Sequence, residues 1–120
     1  MRVRPIHFVP DVDAAVRFYE AVGLETDVRS RSRHWVELAA SGGGLGLHDV
    51  ALAADGVGRS GLGLNLVTDE PLEAVEDRLR LAGFPPDGTI VDHEWGRSLY
   101  VAAPDGTVVQ IDEPDRELYT

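Results

Sequence analysis

The chain contains no cysteine, which removes disulfides, thiolate metal ligands and a cysteine nucleophile in one step. It is also poor in cations: 11 Lys and Arg stand against 21 Asp and Glu, a formal net charge of -10. At long range that field repels a polyphosphate backbone and an anionic membrane surface, so neither nucleic acid nor membrane is an expected partner. The acids are scattered along the chain and read as a solvated surface, with only a lean toward a cationic ligand. No apolar run approaches the roughly 20 residues that span a bilayer, and the opening "MRVRPIHFVP" lacks the apolar core of a secretory signal. The expectation is a soluble, cytoplasmic protein. Hydrolytic machinery is missing as well: there is no nucleophile elbow and no His-Glu-x-x-His segment, and "HE" at 93–94 is an isolated pair. "SGGGLG" lacks the Lys-Ser/Thr ending of a phosphate loop. "GVGRSG" (56–61) has the spacing of a dinucleotide fingerprint, but a linker precedes it and a strand follows, the reverse of what that motif needs.

What is present is a pattern that occurs twice. In "RVRPIHFV" β-branched and aromatic residues suit a strand, which Pro10 stops by removing a backbone donor. Asp11 can cap a helix whose Val12, Ala15, Val16, Tyr19 and Val22 form one apolar stripe, and Gly23 supplies the stop. "LETDVRSR", "HWVELAA" and "GLGLHDV" follow as an antiparallel meander. From Leu62 the plan returns. "LGLNLV" is a strand, and "TDEPLEAVEDRLRLAGF" is a helix with Thr68 or Asp69 as cap, Pro71 in its first turn, and Leu72, Val75 and Leu79 on one face. "GTIVDHEW", "RSLYVAA" and "TVVQIDE" supply three more strands, with "PDG" at 104–106 as the turn between the last two. The expected fold is α+β, one domain of two βαβββ modules: module one 1–50, a linker 51–61 and module two 62–120. Set side by side, two such halves make a curved eight-stranded mixed sheet with both helices on its convex face and a ligand-sized cup on the other. Exposed sheet edges make a homodimer the expected assembly.

"VPDVDAAVRFYEAVGLE" (9–25), "LRLAGF" (79–84) and "YVAAPDGTVVQIDEP" (100–114) resemble the strand-Asp-helix, second-helix and last-strand signatures of the vicinal oxygen chelate superfamily. That superfamily includes glyoxalase I, extradiol dioxygenases, fosfomycin resistance enzymes and bleomycin resistance proteins. These motifs specify fold well and chemistry poorly, because one scaffold hosts many activities. Its enzymes hold a divalent ion at four strand positions with His, Glu or occasionally Gln, since the ion needs converging lone-pair donors. By that resemblance the positions fall on Arg4, on Gly46, on Leu62 (Gly61 or Gly63 if the register slips) and on Gln110. Arg4 is a permanent cation and cannot ligate. The resemblance is therefore closest to the bleomycin resistance-like branch, which implies a metal-free, cofactor-free protein that sequesters a small molecule, such as an antibiotic or natural product, without catalytic residues. The alternative is a metal-dependent lyase, isomerase or dioxygenase using His7, His48 and Gln110. A third possibility is a regulatory or assembly partner of a biosynthetic enzyme.

The candidate ligand-binding residues are Arg4, Ile6, Phe8, Trp35, His48, Leu62, Leu64, Trp95 and Gln110. Arg4 can pair with an anionic group on a ligand or with one of the chain's own acids, and both readings stay open. His48 shares a strand face with Gly46 and can donate to a ligand or accept from it, or be held by Asp49. His7 alternates with Ile6 and Phe8 and is expected on the helix side as a core histidine. Phe8, Trp35 and Trp95 offer stacking surfaces, whereas Phe18, Tyr19 and Phe84 are expected in the core. Gln110 can orient a ligand through its amide without any ion. Replacing Arg4 and Gln110 by Ala is expected to weaken binding and leave the fold intact.

Overall fold

A computed structural model describes residues 1–50 and 61–115, so the expected linker and the "GVGRSG" stretch lie outside the described residues apart from Gly61. In chain order the elements are β1 (Arg2–Val3), β2 (Ile6–Val9), α1 (Val12–Val22), β3 (Glu25–Arg29), β4 (Trp35–Ala40), β5 (Gly43–Asp49), β6 (Gly61–Val67), α2 (Leu72–Leu81), β7 (Val91–His93), β8 (Gly96–Ala102) and β9 (Val108–Pro114). The opening strand expected over "RVRPIHFV" is two strands, broken at Arg4-Pro5. Two compact units result, Arg4–Gly63 and Met1–Val3 with Leu64–Thr120, so that β6 contributes residues to both. Among the described residues no helix is long and apolar enough to cross a membrane.

The Arg4–Gly63 unit is a β-α-β-β-β arrangement. Its strands run β3-β4-β5-β2, antiparallel except for the parallel β2/β5 pair, and β2 also pairs antiparallel with the first residues of β6. Asp11 caps α1 by accepting from the Ala14 amide at 3.0 Å, and Gly23, at φ 126, closes it. Val12 and Val16 are buried against Val9, Val36, Leu38 and Leu47, with Ala15 and Tyr19 at the edge of the cluster. Each buried valine contributes on the order of 1.5–3 kcal/mol through water exclusion. The stripe is narrower than its sequence pattern suggests: Val22 is 63% exposed, and Phe18, expected in the core, is 61% exposed with its ring edge-on to Tyr19. Both sit on the flank of a helix short enough for its sheet to cover little more than Val12 and Val16.

The second unit repeats the plan: β6 pairs parallel with β9, then β8 and β7 follow antiparallel, and β1 pairs with the end of β6. Leu72 and Val75 of α2 pack on Leu99, Val101 and Ile111, with Leu79 partly buried beside them. Phe84, just past the helix, is 44% exposed rather than in the core. The start of α2 corrects the expected cap. Pro71 occupies the N-cap position with no side-chain bond, and the Leu72 amide donates instead to Glu113 Oε2 at 2.8 Å. Thr68 is occupied one turn earlier, accepting from the Glu70 amide at 3.1 Å. A carboxylate reaching from β9 thus does what Thr68 or Asp69 was expected to do, satisfying an orphan amide and facing the positive end of the helix.

Arg97 completes that junction. It donates from Nε to Glu113 Oε1 at 3.0 Å and grips Glu73 of α2 with both terminal nitrogens, at 2.7 and 2.8 Å. These bonds from Arg97 hold the Glu73 carboxyl at about 2, against an ordinary 4.5. A carboxyl whose folded pKa is depressed stabilises the fold above its unfolded pKa and stops doing so as pH falls through the folded value. The stabilisation from this contact is therefore expected to be complete above about pH 4.5 and to be lost down to about pH 2. Melting temperatures measured across that window should fall more steeply for the wild type than for Glu73→Gln, and the difference should shrink in high salt because the pair is exposed.

Candidate functional site

In the Arg4–Gly63 unit strand parity sends Val9, Val36, Leu38 and Leu47 toward α1, and sends Arg4, Ile6, Phe8, Trp35, Glu37, Gly46, His48 and Gly63 to the opposite face. That face is polar at its centre and aromatic around it. Arg4 is only 4% exposed, and its Nη1 lies 2.9 Å from Glu37 Oε1. The Trp35 indole N–H donates to the other Glu37 oxygen at 3.3 Å, and the Arg4 guanidinium carbon sits 5.0 Å from the Trp35 ring centroid. The indole lies across Gly46 so closely that a Cβ there would be 2.3 Å from its Cη2. His48, opposite Trp35 in the β4/β5 register, has ring contacts with Trp35 at 6.0 Å and with Phe8 at 5.8 Å. Phe8 in turn covers Gly63, where a Cβ would be 3.0 Å from its Cε2. Two glycines are thus the floor on which two aromatic rings rest.

The other unit carries a separate polar cluster on the face opposite α2. Asp112, 1% exposed, accepts from Ser98 Oγ at 2.7 Å and Gln110 Nε2 at 2.9 Å on one oxygen, and from Asn65 Nδ2 at 2.9 Å on the other. Asn65 also donates to the Gln110 carbonyl at 3.2 Å. Trp95 lies in the β7–β8 turn, stacked on His93 with centroids 4.8 Å apart, and with Asp92, His93 and Glu94 it lines an open depression. His93 Nε2 is buried there without a hydrogen-bond partner. The turn is tight because Gly96 follows it at φ 148, where a Cβ would stand 2.3 Å from the Glu113 carbonyl oxygen, so no other residue fits.

The sequence model of the Glyoxalase/Bleomycin resistance protein/Dioxygenase superfamily matches residues 4–111. The chain belongs to that superfamily. Its fold is accordingly the α+β glyoxalase/bleomycin resistance fold that the paired βαβββ plan implies. A Legionella pneumophila structure named as an NAD-dependent benzaldehyde dehydrogenase superposes with TM-score 0.76 at 12% identity, covering 94% of this chain and 99% of that one. A glyoxalase/bleomycin resistance protein/dioxygenase superfamily member from Vibrio splendidus gives TM-score 0.66 at 16% identity, over 93% and 97% of the two chains. At such identities the likeness is one of fold alone. No curated protein matches the chain.

The superfamily's metal-ligand positions carry few donors in this chain. Arg4 is a cation already paired with Glu37. Gly46 has no side chain, and the indole above it leaves no room for one. On β6 the register places Gly63 opposite Ile6 and Leu62 opposite His7, so the residue on the face of Arg4 is Gly63, beneath Phe8. Gln110 donates its amide N–H to Asp112 and has a single neutral amide oxygen left to offer. The set does not fit a divalent ion, and among the described residues no three His, Asp or Glu side chains gather as one would require. The alternative triad is divided as well: His7 Nδ1 shares a 2.7 Å hydrogen bond with the Tyr19 hydroxyl of α1, while His48 is on the opposite face of the sheet.

The predicted ligand-binding residues therefore separate. Phe8, Trp35 and His48 are brought together, half-buried, around the Arg4–Glu37 pair. Ile6 shares their face but is 5% exposed, inside the packing rather than at its surface. Leu62 and Leu64, expected among the ligand-binding residues, lie off that face. Parity turns Leu62 to the α1 side and Leu64 to the side of Val109 and α2, where they are 74% and 50% exposed. Trp95 and Gln110 belong to the second unit's structures. Glu37, Asn65, Ser98 and Asp112 were missed: in "WVELAA" and "VVQIDE" a lone acid reads as solvent-facing, and nothing in its neighbours announces a buried partner elsewhere in the chain.

Proposed function

We propose that this superfamily member is a metal-free small-molecule-binding protein, which holds its ligand against the Phe8–Trp35–His48 surface and sequesters it without turnover. What supports the reading is the occupation of the metal-ligand positions. A salt-bridged arginine, a glycine under an indole and a glycine under a phenyl ring replace ion-binding donors with flat apolar surface. Such surface favours a planar ligand with one or two polar groups, the chemistry of many antibiotics and natural products. The protein in this reading works as a cytoplasmic homodimer, and its negative charge keeps it from nucleic acid. Anionic ligands are disfavoured because Glu37 already offsets the Arg4 charge.

The test has two arms. Protein loaded with divalent metal and then desalted should retain far less than one equivalent per chain by elemental mass spectrometry. A stoichiometric ion lost on substituting His48 or Gln110 would restore the metal-enzyme reading. In a Trp95→Phe background, Trp35 is the sole indole, and planar aromatic compounds should quench its emission saturably. Trp35→Leu should weaken their binding, measured by calorimetry, by about two- to tenfold, as stacking contributes about 0.5–1.5 kcal/mol beyond area. Failure of every compound in a planar panel to bind would overturn the proposal.

A further inference from the structure

We infer that His48 selects among planar ligands as a hydrogen-bond acceptor, favouring aromatic compounds that carry a hydroxyl group. The inference rests on the binding surface proposed above and names the chemistry it prefers. Its basis is the tautomer of one ring. His48 Nδ1 is 2.8 Å from the Asp49 carbonyl oxygen. A carbonyl only accepts, so Nδ1 carries the proton, and in the neutral imidazole the other nitrogen is a bare lone pair. His48 Nε2 makes no hydrogen bond among the described residues, and it is not among their buried unpartnered atoms. The ring is half-buried, framed by Phe8 at 5.8 Å and Trp35 at 6.0 Å.

A ligand lying against those rings therefore meets an acceptor at their edge, in surroundings apolar enough to make the bond count. A ligand that offers only acceptors there, an ether or a ketone oxygen, leaves Nε2 desolvated and unpaired. A carboxylate meets the same lone pair, with the cation of Arg4 already offset by Glu37 2.9 Å away. A neutral hydroxyl satisfies the site, and an arene carrying one satisfies the rings as well.

Two matched probes test this, 2-naphthol and 2-methoxynaphthalene, which share a ring system and differ in whether the oxygen can donate. Titrated calorimetrically into wild-type protein, above the imidazole range and below the phenol range, 2-naphthol should bind about three- to tenfold more tightly, the span of one net hydrogen bond. The ratio should collapse to about one in His48→Phe, and a long-range proton–nitrogen spectrum of the wild type should show Nε2 unprotonated. If both probes bind the wild type equally, the role of His48 is overturned and the aromatic surface stands. If neither binds, the binding surface fails with it. The wild-type comparison holds whether or not the variant folds.

Discussion

Glu37→Ala is expected to cost about 3–5 kcal/mol of folding stability, measured by urea denaturation, because it removes a carboxylate that lies 2.9 Å from a buried cation. Arg4 and Glu37 have side chains only 5% and 9% exposed, so neither charge can turn to water when the other is lost. The Trp35 N–H loses its 3.3 Å bond to Glu37 in the same variant. Arg4→Ala should be comparably damaging, in place of the expectation that Arg4 can be truncated with the fold intact. The informative control is the double replacement Arg4→Met with Glu37→Leu. Desolvating two charges roughly cancels their attraction, so an apolar pair of similar volume is expected within about 1–2 kcal/mol of the wild type. A double variant as unstable as Glu37→Ala would mean that the pair stabilises by more than mutual compensation. In that variant the Phe8, Trp35 and His48 rings keep their strand positions, so planar ligands should still bind to it, and more apolar ones better than before.

The paired modules were legible because local chemistry and global fold agree in them. Asp11 before an apolar stripe, Gly23 after it and "PDG" between two alternating runs each have one physical solution, and each is adopted. His7 was legible for the same reason, since its neighbours fix its parity and only a helix lies on that side. The face of β6 was not legible. In "GLGLNLV" the leucines look like the buried set, whereas the glycines carry the contact, because Phe8 needs a position without a side chain beneath it. A glycine's use as a floor is invisible until the ring above it is placed. Glu37 and Asp112 were hidden for a related reason: the partner that makes a buried acid tolerable sits on another strand, Arg4 in one case and Ser98 and Asn65 in the other. Sequence spacing reports neighbours along the chain, and these are neighbours across a sheet.

Asp112 carries the other large expected effect. Three side chains direct donors at its two oxygens, Ser98 and Gln110 on Oδ1 and Asn65 on Oδ2, while Ser98 and Asn65 are 0% and 1% exposed. Asp112→Ala removes every one of those acceptors and costs Ser98 and Asn65, both fully buried, one hydrogen bond each. At about 1.5–3 kcal/mol for each hydrogen bond to a charged group, the two buried bonds lost are expected to cost about 3–5 kcal/mol by urea denaturation. Gln110, half-buried, can turn its amide elsewhere and adds little. Asp112→Asn separates charge from shape: it keeps one acceptor oxygen but turns the other into a donor facing a donor, so it should cost about half as much. Adding Asn65→Leu to Asp112→Ala should then cost less than the sum of the two single changes, since the Asn65–Asp112 bond can be lost only once. Strict additivity of the two would mean that Asn65 and Asp112 act independently, and that the cluster is a set of separate bonds rather than one network holding β6, β8 and β9 in register.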